Sequence, residues 1–233
     1  MLDLTVRGLW GPREEDVDQL ASRLSALLGR LAELAPEVFS GWRGTDSDAA
    51  SLASFIEAAD TQDDDDRVNW IAILEAEQEG MPKATVTMRA GGTSPWVPLS
   101  LNVQLKSRTL EEAAVPVAAR LPEVLLAVAD TWDADWGDVH DDDLFFEVED
   151  AFDLAGTDPR AGRAVLLSAR RAAQVPEELP GRRLPTAHGG LVIAFGGPEG
   201  QAPDAASVIA ATETLRKAGA LEPLPRPADR ATW

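Results

Sequence analysis

The feature that most constrains this chain is a leucine stripe close to its beginning. Val17, Leu20, Ala21, Leu24, Leu27, Leu28, Leu31 and Leu34 recur at three- and four-residue steps, the spacing that gathers side chains on one face of a helix. Asp16, Asp18, Arg23, Arg30 and Glu33 fall on the opposite face, so the helix lies on a core with water behind it. Just before it, Leu4 and Val6 alternate with Thr5 and Arg7, the period of a strand with one buried face. Trp10-Gly11-Pro12-Arg13 separates the two. Gly11 supplies turn dihedrals, Pro12 suits a first helical turn, and Glu14, Glu15 and Asp16 oppose the positive end of the helix dipole. Pro36 predicts the helix end, because the residue before a proline avoids helical geometry, and a further turn places Phe39 and Trp42 beside the stripe.

The period then changes. A short helix over 48–60 points Leu52, Phe55, Ile56 and Ala59 inward. Residues 70–74, 84–88 and 97–105 alternate and are separated by Gly80-Met81-Pro82 and by Gly91-Gly92-Thr93-Ser94-Pro95, the pattern of consecutive antiparallel strands. Leu99, Leu101, Val103 and Leu105 alternate with Ser100, Asn102 and Gln104, so one face of that strand is wet. Trp70 and Trp96 are assigned to sheet packing. A helix either starts at Thr109, with Glu112 as its capping partner, or starts near Pro116 or Pro122, carrying Val124, Leu125, Val128 and Trp132 inward. A strand at 164–168, a proline-punctuated connection at 175–185 and a strand at 191–195 follow. The last helix has Asp204 as cap, Ala205, Val208, Ile209, Thr212 and Leu215 inward, and Gly219 at its end. Together these predict an α+β fold, a mostly antiparallel sheet of about five or six strands covered by N-terminal and C-terminal helices. Residues 1–221 form a single domain in this reading and 222–233 a loose proline-rich tail.

Chemistry is bounded by what is missing as much as by what is present. The 233 residues contain no cysteine, which removes disulfides, thiol catalysis and thiolate metal sites. Gly91-Gly92 lacks the Gly-Lys-Ser or Gly-Lys-Thr of a phosphate loop, the Gly-x-Ser-x-Gly elbow is absent, and His188 stands at the start of a strand with no triad spacing around it. No cofactor is expected. With 21 basic and 40 acidic side chains the formal charge is -19, which repels nucleic acid and anionic lipid and attracts a basic partner. There is no leader-like start and no apolar run long enough to cross a bilayer, so the expected location is the cytoplasm, with no membrane partner.

Two stretches are unusually acidic. Asp63, Asp64, Asp65 and Asp66 are consecutive and lack the spacing of a calcium loop. Between Asp130 and Asp153 carboxylates accumulate without a lysine or arginine among them, while Trp132, Trp136, Phe145, Phe146 and Phe152 are interleaved. Such crowding costs stability through self-repulsion. Three readings compete for it: a solvated loop flanking a helix end, a partner surface of aromatic anchors with a charged rim, and a metal site built from Asp135, Asp138, His140 and Asp142.

Trp10-Gly11-Pro12-Arg13 opening a leucine-rich helix, followed by Leu34-Ala35-Pro36-Glu37-Val38-Phe39 and Trp42, resembles the start of the immunity protein 52 family of bacterial polymorphic-toxin systems. Gly189-Gly190-Leu191-Val192 and Ala218-Gly219-Ala220-Leu221 extend the resemblance to the other end. The resemblance implies an α+β, non-enzymatic, cytoplasmic protein that neutralises a cognate toxin by stoichiometric binding. The family is associated with nuclease toxins of the restriction-endonuclease fold, so the resemblance implies a type VI secretion or other polymorphic toxin effector with a basic groove that carboxylates can occupy. The toxin-binding residues are then expected to be Trp132, Asp135, Trp136, Asp138, Asp141, Asp142, Asp143, Glu147 and Glu149, with Asp63, Asp64, Asp65 and Asp66 as a second contributor. Replacing Asp141, Asp142 and Asp143 by Asn is expected to slow association. Trp10, Gly11, Pro12, Arg13 and Trp42 are assigned to the fold. The alternatives are a metal-assisted hydrolase using the aspartates near His140 and an acidic adaptor; the oligomeric state is left open.

Overall fold

A computed structural model describes residues 2–59, 70–107, 116–197, 201–224 and 227. Its centre is the first strand, β1 (Leu2–Trp10), which pairs antiparallel with a strand on either side. One side is a meander of β2 (Trp70–Ala76), β3 (Lys83–Ala90) and β4 (Leu99–Ser107). The other side holds β5 (Trp136–Asp141), β6 (Ala164–Leu167), β7 (Arg182–Pro185) and β8 (Leu191–Ala194). The described strands form one eight-stranded sheet in the order β2-β3-β4-β1-β5-β6-β8-β7, every pairing antiparallel. The fold is α+β as expected, with two more strands than the upper expectation; β5 and β7 are the additions.

One face of the sheet is covered along its length by three helices. The stripe forms α1 (Val17–Leu34), whose Leu20, Leu24, Leu27, Leu28 and Leu31 are fully buried. Truncating one of these to alanine costs about 2–5 kcal/mol by analogy with other core leucines. The helix starts later than the proline suggests. Its cap is Asp16, in a capping box with Gln19, and Pro12 lies outside it in the approach. Beside α1 lie α2 (Ala49–Ala58), capped by Asp48, and α3 (Leu121–Trp132), with Pro122 in its first turn and Val124, Leu125, Val128 and Trp132 buried. The expected cap Thr109 and its partner Glu112 lie outside the described residues. Phe39 and Trp42 join this core after the α1 end.

Among the described residues the second face is covered only over β5, β6 and β8. There α4 (Asp142–Phe152) and α6 (Ala205–Lys217) bury Leu144, Val148, Val208 and Leu215 against Val165, Leu167 and Ile193, and a one-turn helix α5 (Ala169–Ala172) follows β6. Over β2, β3 and β4 the same face has no helix on it among the described residues. Thr85, Thr87, Ser100, Asn102 and Gln104 are half-buried there, alternating with fully buried Ala84, Val86, Leu101 and Val103 that point to the covered face. The sheet is therefore a three-layer sandwich on one side of β1 and a two-layer one on the other. Trp96 is 61% exposed in the loop before β4, so it is not a sheet-packing residue, whereas Trp70 packs on the core.

Candidate functional site

The acidic and aromatic segment between Asp130 and Asp153 folds as the end of α3, the strand β5 and the helix α4. That placement divides the expected toxin-binding residues into two groups. Trp132, Asp135, Trp136 and Asp138 are buried, at 0%, 4%, 0% and 0% exposure, and cannot face a partner in this fold. Glu147, Asp142 and Asp143 are exposed on α4, and Asp141 and Glu149 are half-buried at its ends. Asp63, Asp64, Asp65 and Asp66 lie outside the described residues.

Each buried carboxylate is held by arginines that the segment itself lacks. Asp138 faces Arg7 across the β1–β5 pairing, and the guanidinium donates from Nε at 2.6 Å and from Nη2 at 3.1 Å to its two oxygens. His140 places Nδ1 3.2 Å from the same carboxylate. Burial works against the charged form, but Arg7 and then His140 outweigh it and hold the Asp138 carboxyl well below the usual carboxylate range. The Phe145 ring closes this centre, with the Arg7 guanidinium 5.1 Å and the Arg160 guanidinium 4.3 Å from its centroid. Asp135 sits at the other end of β5, accepting from Ser168 Oγ at 2.8 Å and Arg171 Nε at 2.8 Å, with Arg170 at 3.1 Å. Arg171 continues to the carbonyls of Ala220 and Glu222 and so ties the last described turn to β5.

Asp141 has a structural task as well. It caps α4 by accepting from Leu144 N at 3.0 Å, while its second oxygen accepts from Arg163 Nε and Nη2. The self-repulsion expected of the segment is thus relieved from outside it. The sequence signal for this was the row Arg160, Arg163, Arg170 and Arg171 just beyond the segment, and Arg7 in the first strand.

The metal quartet is not assembled. Asp135 and Asp138 are engaged by different arginines, and among the described residues no three His, Asp or Glu side chains are grouped to hold a metal ion. His188 Nε2 donates to the Asp130 carbonyl at 3.0 Å, a satisfied position at a strand entrance.

Trp10, Gly11, Pro12 and Arg13 form a second cluster at the far end of β1. Trp10 stacks on Trp132 at 5.2 Å, and the Arg13 guanidinium lies 5.2 Å from the Trp10 ring centroid. Arg13 donates to the Trp132 carbonyl at 2.9 Å and pairs with buried Glu15, which also meets Arg23 at 2.7 Å. Trp42 is buried in the α1 core.

What remains at the surface is the outer side of α4. Asp142, Asp143, Glu147 and Asp150 are exposed there around Phe146, itself 57% exposed. Beside it a groove of about 350 Å³ is lined by Thr5, Arg7, Thr87, Asn102, Gln104, His140, Asp142, Phe145 and Phe146. Most described arginines and lysines are already engaged with carboxylates, so the excess charge is carried by groups such as these. Among the described residues no helix is long and apolar enough to cross a membrane.

No protein-family model matches the chain, and none of the curated proteins is similar to it. Among solved structures the chain is similar to the Pseudomonas aeruginosa T6SS protein PA0821, with a TM-score of 0.50 and 11% identity over 95% of this chain and 73% of that one. At that identity the likeness is one of fold: an α+β architecture on a largely antiparallel sheet.

Proposed function

We propose that this chain is a cytoplasmic immunity protein that neutralises a cognate bacterial toxin, a basic nuclease domain, by stoichiometric binding and without chemistry of its own. The observation that carries the reading is the exposed carboxylate face of α4, beside Phe146, on a chain of formal charge -19. A nuclease must hold a polyanion and so presents cationic side chains. A surface of opposite sign accelerates their encounter, and a buried aromatic slows release. Two further supports are the resemblance of Trp10-Gly11-Pro12-Arg13 and its helix to the immunity protein 52 family, and the fold likeness to a protein named for the T6SS.

The test is a titration. The purified chain is added to the nuclease domain encoded beside it while DNA cleavage is followed. Inhibition that reaches completion near one chain per nuclease is expected. Undiminished cleavage at excess chain overturns the reading.

A further inference from the structure

Among the described residues the second face of the sheet stops being covered at β1, and the step is walled by α4. Across the floor, Ile73 pairs with Thr87, Thr87 with Asn102, Asn102 with Arg7 and Arg7 with Asp138, so one row runs from the sheet edge to the foot of the wall. Three strand spacings make the bare floor roughly 14 Å wide, room for one extended segment or a single helix. Among the described residues no hydrogen bond joins the Thr87 or Asn102 side chain to the rest of the chain, which leaves donors and acceptors facing outward. Three of the floor's cations are neutralised, Arg7 by Asp138, Lys83 by Glu75 and Lys106 by Asp3, while Arg89 is exposed two residues beyond Thr87 with no carboxylate partner among the described residues. At the wall, Asp142 and Asp143 have no basic partner among the described residues, and Phe146 is exposed with Phe145 edge-on at 5.5 Å.

Resting on the reading of the chain as a toxin inhibitor, we propose that a cationic segment of the toxin lies on this bare half-face, hydrogen-bonded to Thr87 and Asn102 and flanked by Asp142, Asp143 and Phe146. The argument is charge complementarity. The floor supplies uncharged hydrogen-bonding groups, the wall supplies unpaired carboxylates, and an exposed ring accepts a guanidinium on its face. A polyanion is a poor occupant, because Asp142 and Asp143 border the floor and, of its basic groups, Arg7, Lys83 and Lys106 are already paired, leaving Arg89 alone. The expected contact surface thereby shifts from the segment around β5 to the strands of the opening half of the sheet, with α4 as its rim.

The absence of cysteine makes the test direct, since one introduced thiol is the only one in the chain. Thr87→Cys reports the floor, and Glu57→Cys on α2, exposed on the opposite layer, is the control. Each full chain is reacted with a maleimide dye, alone and with a catalytically inactivated form of the nuclease domain encoded beside it. Labelling at position 87 is expected to slow tenfold or more in the complex, with position 57 unchanged. A complex that forms on gel filtration but leaves position 87 reacting at its free rate, or slows both positions equally, overturns this inference and leaves the inhibitor reading standing. Failure to form a complex overturns both. Should the thiol at 87 react too slowly in the free chain, Thr87→Arg with Asn102→Arg gives the same decision: at least tenfold weaker binding with an unchanged melting temperature supports the placement, and unchanged binding refutes it.

Discussion

Asp138 shows how a charge can be read correctly as unusual and wrongly as exposed. It lies between Arg7 and His140 at the foot of α4, and its carboxyl is held below the usual value of 3.8. A group depressed on folding contributes stability that is complete above the unfolded value and is lost as pH falls through the folded one. Urea denaturation should therefore show the protein weakening below about pH 4, with a smaller acid loss in Asp138→Asn. At neutral pH Asp138→Ala should cost about 2–4 kcal/mol, because Arg7, only 12% exposed, loses its carboxylate partner; a change below 1 kcal/mol in the same titration would contradict that role. The sequence displayed Asp135 and Asp138 beside tryptophans but not their inward orientation, because the arginines that permit burial are 131 positions away for Asp138 and 36 for Asp135. By contrast Leu24 and Leu28 were legible at once, since a leucine needs only a core and no named partner.

At the scale of elements the same contrast holds. The helices α1 and α6 follow from a periodic stripe and a cap, Asp16 in one and Asp204 in the other. β5 did not follow, because it is buried throughout from Trp136 to His140 and so shows no wet-and-dry alternation. α4 buries only Leu144 and Val148, and its many carboxylates obscured that spacing. β7 is short, exposed and ends in Pro185 at the sheet edge. Two substitutions probe these elements. In β5, a Cβ at Gly137 would stand 2.2 Å from the Arg7 carbonyl, so Gly137→Ala should push β5 from β1 and cost about 1–3 kcal/mol in denaturant titrations. At the end of α4, Asp153 takes a left-handed φ of 51° at the negative end of the helix dipole. Asp153→Gly removes both penalties and should stabilise by about 0.5–1 kcal/mol, read as a raised melting temperature.

For the whole molecule, the fold class was legible and the exposed acidic surface was not, because charge on a sequence does not say which carboxylates are spent inside. Once Asp135, Asp138 and Asp141 are assigned to arginines and a helix cap, the carboxylates available for long-range attraction on α4 are Asp142, Asp143, Glu147 and Asp150. Neutralising those four as Asn or Gln should slow association with the proposed nuclease toxin about tenfold at low salt, and the difference should shrink as salt screens the field. Asp141 is left out, since its replacement would also uncap the helix. Survival tests the proposed inhibitor role most directly: bacteria expressing the proposed nuclease toxin, with and without the chain. Full growth is predicted with the intact chain and death with a folded variant whose four α4 carboxylates, Thr87 and Asn102 are all replaced. Death in the presence of the intact, folded chain would contradict the account.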